Sequence, residues 1–168
     1  MTREDDCGLY SEEKSSIRGK KTEDLKARLA LAEKLKPNAL VSIHLNSYRQ
    51  DRSVFGAQTF YTTSCDPAEA EMSRMLAEKI QALLIGYIEN GNTRLAMEKN
   101  DVLLMKEAKV PTVIVECGFL SNYDEASRLQ EEEYQELLAR AVADGILSYL
   151  GIDRKPGENA SIKIVISK

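Results

Sequence analysis

Pro111-Thr112-Val113-Ile114-Val115-Glu116-Cys117-Gly118 contains the most β-prone run of the chain, four successive β-branched residues entered through a proline. It reads as a short strand, Val113–Val115, whose last residue is followed at once by a carboxylate, Glu116. Seventy-two residues earlier, Ala39-Leu40-Val41-Ser42-Ile43-His44 has the same form: an apolar run without clean alternation, followed at once by a polar group. Runs of that kind suit strands covered on both faces. A third candidate, Ala57–Tyr61, is set off by Gly56.

Helical patterns fill the spaces between these runs. Residues 1–21 are polar and turn-rich and read as a loop. Thr22 then looks like an N-cap, with Glu23 and Asp24 in the first turn, where acids suit the helix dipole. Leu25, Leu29, Ala32 and Leu35 follow at helical spacing until Pro37 ends the pattern. Asp66-Pro67-Ala68-Glu69 is a capping-box string with proline at the first helical position. Met72, Met75, Leu76, Lys79, Ile80, Leu83 and Tyr87 continue it, with the Met and Leu stripe read as core packing. Asn90-Gly91-Asn92 breaks it. Val102–Met105 is apolar but too short to type. Asn122-x-x-Glu125 is a further helix start, and a long helix runs from about Glu131 to Leu150 with Tyr134, Leu138, Ala141, Val142, Gly145 and Tyr149 near one side. Strands alternating with helices predict an α/β fold, a mainly parallel or mixed central sheet flanked by helices. Residues 1–151 read as one domain. Residues 152–168, with Ile162, Ile164 and Ile166 in alternation, read as a tail or an edge strand.

Composition narrows the function classes. The chain has 168 residues, 43 % hydrophobic and 30 % charged, enough for one domain with a sizeable core. Its net charge is −4 with both signs interspersed, which argues against nucleic acid as a partner. No apolar run approaches the roughly 20 residues of a membrane span, and the first residues show no export signal. Cys7, Cys65 and Cys117 are widely spaced and odd in number, which is neither a disulfide framework nor a cysteine metal site.

In parallel α/β sheets, chemistry gathers at the carboxyl ends of the strands. His44, the single histidine, and Glu116 both fall there. A carboxylate in that position needs solvent, a partner or a metal, and a histidine can be a ligand or an acid–base group. Spacing alone leaves a structural reading open for each: a hydrogen-bonded histidine, and a glutamate that caps a helix or pairs with arginine. A catalytic zinc centre typically takes three protein ligands, and no further ligand spacing is visible.

The strings Ser42-Ile43-His44-Leu45-Asn46-Ser47, Gly56-Ala57-Gln58-Thr59-Phe60-Tyr61 and Val115-Glu116-Cys117-Gly118-Phe119-Leu120-Ser121-Asn122 resemble successive landmarks of the zinc-dependent N-acetylmuramoyl-L-alanine amidases of peptidoglycan. Met1-Thr2-Arg3 resembles the Thr-Arg that ends an early strand of that family, and Leu103–Lys106 through Val110-Pro111 the approach to its last strand. The resemblance runs from Met1 to about Leu150 and is greatest towards the spore-cortex members. It implies a phosphorylase/amidase-like fold, a zinc ion, His44 as the last of three metal ligands and Glu116 as the general base. It also implies action on the amide joining the lactyl group of N-acetylmuramic acid to L-alanine of the stem peptide. Asn46 and Arg3 would line the cleft. It further implies peptidoglycan as the partner, a protein activator as a further one, and an exported location at the wall or between the spore membranes. Cys117, beside Glu116, should point the opposite way, into the core.

The family's first landmark, a His-x-Gly strand end, and the glutamate ligand after it have no counterpart here. The reading is therefore of an N-terminally truncated domain with an incomplete zinc site, weak zinc binding and negligible activity by itself. Apolar strand edges should be exposed where that landmark strand would lie. The competing reading is a catalytically silent wall- or partner-binding module on the same fold. A metal-free hydrolase using Glu116 with His44 lacks a carboxylate to orient the histidine. Serine-hydrolase and P-loop chemistries lack their motifs.

Overall fold

The computed structural model describes residues 8–10, 16–152 and 164–167, the last four by their backbone. Five strands, β1 (Ala39–Asn46), β2 (Gln58–Tyr61), β3 (Met97–Glu98), β4 (Thr112–Phe119) and β5 (Ile164–Ser167), form one sheet in the order β3-β2-β4-β1-β5. β1 runs parallel to both β4 and β5, and β2 parallel to β3, while β2 and β4 are antiparallel. The mixed, mainly parallel α/β sheet is the architecture expected from the alternating elements.

Helices cover both faces. α2 (Pro67–Ile88) and α5 (Glu132–Leu150) pack against one face, where Val41, Val113, Val115 and Cys117 meet Leu76, Ile80, Leu84, Leu138 and Ile146. α1 (Ile17–Leu35) and α3 (Leu103–Glu107) lie over the other, with Ala32, Leu40, Leu104 and Ala108 in one cluster and Phe60, Met105 and Ile114 in a second. The short α4 (Tyr123–Arg128) follows β4.

Most boundary signals act as read. Asp66 caps α2 by accepting from the Ala68 N–H, with Pro67 opening the helix. Asn122 caps α4 by accepting from the Glu125 N–H at 3.1 Å. α1 stops at Leu35, where Lys36 turns left-handed just before Pro37.

Three expectations change. α1 begins at Ile17, not at Thr22: the Ser16 hydroxyl accepts from the Gly19 N–H, and Thr22 Oγ1 instead donates to the Arg18 carbonyl inside the helix. The polar composition of that first turn hid it. Val102–Met105, too short to type from the sequence, leads into the helix α3. On α2 the buried stripe is Ser73, Leu76, Ala77, Ile80, Gln81, Leu84 and Ile88, so Met72 and Met75 face solvent. Two buried polar residues explain that rotation. Ser73 Oγ accepts from the Thr112 N–H, and Gln81 Oε1 accepts from the Thr59 N–H. Finally, the outer edge of β1 is not open along Ala39–Ser42, because β5 pairs with it there. A row of unpaired backbone groups is a ready template for another strand.

Candidate active site

His44 and Glu116 lie inside their strands rather than after them, because pairing continues to Asn46 and Phe119. They are register partners across the parallel β1–β4 ladder, so their side chains share a face, the one carrying α1 and α3. Cys117 points the other way, as alternation requires. It is 6 % exposed in the α2–α5 core, where burial pushes its thiol up to about 12. Arg3 lies outside the described residues. Asn46 caps its own strand end: Oδ1 accepts from the Ser47 N–H at 2.8 Å, and its carbonyl accepts from the Leu120 N–H at 2.8 Å.

Around His44, Ser42 Oγ lies 2.8 Å from Nε2 in a hydrogen bond whose direction follows the ring tautomer. Partial burial lowers the imidazole pKa, and the positive charges of Lys21 and Arg28 lower it further. The ring is therefore held neutral, the form that ligates a metal or accepts a proton.

Glu116 has the opposite bias. Burial raises its carboxyl, a trend that Lys99 opposes, and Oε2 is buried with no hydrogen-bond partner among the described residues. An orphaned buried carboxylate oxygen is costly and leaves a base free to take a proton. Gln58 of β2 stands opposite Glu116 on the other side. Gln58, Glu116 and His44 thus form one polar row across three strands. Gln58 is itself fixed: Nε2 donates to the Leu95 carbonyl at 3.0 Å, and Oε1 accepts from Arg94 Nη1 at 3.1 Å. Sequence reading missed Gln58 and Arg94, since their contacts depend on the β2–β4 register and a separation of 36 residues.

The orphaned oxygen sets an expected result. A raised carboxyl pKa gives stability that is complete at pH below the ordinary 4.5 and is lost as pH rises through the raised value. Glu116→Gln, which removes that ionisation, should therefore raise stability at pH 7, by at most about 1 kcal/mol because solvent screens the half-buried carboxyl, or up to about 2–4 °C in Tm. The difference should vanish near pH 4. Thermal melts at the two pH values check this, and a variant less stable than wild type at pH 7 would contradict it.

The donors present fit a zinc ion only in part. His44 offers a neutral nitrogen and Glu116 a free oxygen, but no group of three histidine, cysteine or carboxylate side chains able to hold a metal occurs among the described residues. The pair does not amount to a complete three-donor centre.

Comparison with known proteins agrees with the geometry. Residues 1–148 match the family described as N-acetylmuramoyl-L-alanine amidase, and the chain belongs to that family. It is 35 % identical over 158 residues to the germination-specific N-acetylmuramoyl-L-alanine amidase of Bacillus subtilis, an alignment covering 94 % of this chain and 64 % of the relative. Among solved structures, the CwlD amidase of Clostridioides difficile, determined in complex with the GerS lipoprotein, is 40 % identical. The match has a TM-score of 0.82 and covers 90 % of this chain and 75 % of that one. The catalytic domain of CwlV from Bacillus (Paenibacillus) polymyxa is 31 % identical with a TM-score of 0.63, covering 90 % and 72 %. The family is generally zinc-dependent. This chain thus spans less than two thirds of the Bacillus subtilis relative's length. No helix among the described residues is long and apolar enough to cross a membrane.

Proposed function

We infer that the chain belongs to a peptidoglycan hydrolase that cleaves the amide between N-acetylmuramic acid and the L-alanine of the stem peptide, in the spore cortex. Residues 1–151 form the amidase unit, and residues 164–167 add the edge strand β5 to its sheet. Glu116 takes a proton from the attacking water and returns it to the departing amine, acid–base work that suits a carboxyl raised towards neutrality. His44 would supply one donor to a zinc ion, which takes about three protein ligands in a catalytic centre and finds no such set among the described residues. The observation that carries this reading is the His44–Glu116 register pair with its unpartnered carboxylate oxygen. The similarity to a germination-specific amidase and to CwlD supports the spore assignment. CwlD is solved in complex with the GerS lipoprotein, which supports a protein partner for this chain, taken here as an activator. An exported location follows from the wall substrate.

A second reading has its own observation. The absence of a three-donor cluster among the described residues favours a silent module that binds wall or partner without turnover. One pair of measurements separates them. The 168-residue chain is expected to bind zinc only weakly, with a Kd above about 1 μM in competition with a chromophoric chelator, and to release no new amino-terminal alanine from muropeptides. The same chain supplied with a ligand-bearing segment of a relative should gain both activities and lose turnover by about 10³-fold or more on Glu116→Gln. Tight zinc binding with no turnover in that completed protein would favour the silent module.

A further inference from the structure

Beyond the His44–Glu116 row, at the ends of β1 and β4, the surface opens into a cleft of about 1280 Å³. Arg49, Arg52 and Arg128 line it, against the acidic Asp124 and Glu125. Glu125 is already committed, since both its oxygens accept backbone N–H groups. Arg128 rests over the Tyr134 ring at 4.2 Å. Among the described residues Arg49 and Arg52 meet no carboxylate within 4.0 Å, whereas Arg74 is flanked by Glu71 and Glu78 and Lys109 reaches Glu33. Two exposed guanidinium groups without a carboxylate partner among the described residues thus face one cleft.

The loop that carries them is held in place. Asp51 Oδ1 accepts from both the Ser53 N–H and the Ser53 hydroxyl. Asn122 Nδ2 donates to the Arg52 carbonyl at 3.1 Å, and the Tyr48 N–H donates to Ser121 Oγ at 2.8 Å. Backbone order lowers the entropy lost when the side chains engage a ligand. Guanidinium groups match carboxylates in planar, bidentate geometry.

Position selects the ligand. Asn46 and Phe119 lie two and three residues beyond His44 and Glu116 in their strands. At about 3.3 Å per residue, the cleft mouth is roughly 7–10 Å from the row. An extended peptide spans that distance with two or three residues.

The geometry points to Arg49 and Arg52 as a subsite for a carboxylate on the second residue of a peptide whose first residue is placed at Glu116. The assignment rests on the proposed wall-amidase reading, in which that peptide is the stem peptide and the carboxylate belongs to its second, glutamyl residue. It adds a specificity rule to that reading: a free carboxylate at this residue is preferred to its amide.

The test is calorimetric titration of the 168-residue chain with N-acetylmuramyl-L-alanyl-D-glutamate and with its D-isoglutamine analogue, which differ by one carboxylate. Wild type should bind the acid about five- to tenfold more tightly, a preference that shrinks in high salt. Arg49→Gln/Arg52→Gln should reduce the preference to about twofold or less, while Lys79→Gln on the exposed side of α2 leaves it intact. Both arginines are exposed, so unchanged thermal melts are expected for the double variant. Equal binding of acid and amide by wild type, or a preference that survives in the double variant, overturns the assignment. So does stronger competition by polyglycerol phosphate than by the acid dipeptide. Co-sedimentation with purified sacculi separates the two levels: retention on sacculi without discrimination removes only the arginine subsite. Failure to bind sacculi and both dipeptides removes the wall reading as well.

Discussion

Glu125→Ala is expected to remove about 2–5 kcal/mol of stability, which would leave many domains of this size near their unfolding threshold. The reason lies in two backbone donors. Glu125 is 5 % exposed; its Oε1 accepts from the Gly56 N–H at 2.9 Å and its Oε2 from the Phe119 N–H at 2.7 Å. One donor precedes β2 and the other ends β4, so a single side chain fastens the two strands at the rim. Truncation leaves both N–H groups buried and unpaired, at about 1–3 kcal/mol each. Glu125→Gln keeps one good acceptor and should fall between wild type and alanine. Gly118 fits the same brace: a Cβ there would stand 3.3 Å from the Glu125 carboxyl, at a φ of +155° that side chains rarely adopt. Urea denaturation with fixed m-values measures the loss, and a change below about 1 kcal/mol for Glu125→Ala would show that water replaces the carboxylate.

Gly145→Ala should destabilise by about 1–3 kcal/mol, while the same substitution at Gly86 should stabilise by up to about 1 kcal/mol. Both glycines are helical, and alanine is the better helix former at each. They differ in what surrounds them. A Cβ on Gly145 of α5 would lie 2.6 Å from Ile80 Cα and 3.1 Å from Ile80 N, so the α2 backbone would have to move away. That seam is the centre of the main core, where overpacking strains both helices. A Cβ on Gly86 would meet nothing within 4 Å. Paired melts of the two variants decide the matter, and equal signs would mean that the α2–α5 seam is looser than the structure shows.

These residues also mark where sequence reading reached its limit. Local chemistry was readable: the β-branched run of β4, the Asp66-Pro67 start of α2, the Asn122 cap and the α5 stripe all behave as their residue types require. Glu125 was read as part of a helix start, which is true of its backbone. Its side-chain role depends on Gly56, 69 residues away, and no local pattern encodes that. The His44–Glu116 pair was singled out because a polar group follows an apolar run, yet both lie within strands. One face of that sheet is open enough at its carboxyl end to hold polar side chains, and strand ends cannot be placed from hydrophobicity alone. Family resemblance supplied their roles. Their convergence came from the parallel β1–β4 register, and Gln58 joined them only through the antiparallel β2–β4 pairing.

The pairing of β5 with the outer side of β1 has a consequence for how the chain behaves in company. A parallel ladder along Ala39–Ser42 is the same ladder whether the added strand comes from the same polypeptide or from another. Covalent attachment favours the chain's own strand only through its effective concentration. Crowding many copies together erodes that advantage, so exchange of this strand between molecules becomes a matter of dose rather than of sequence.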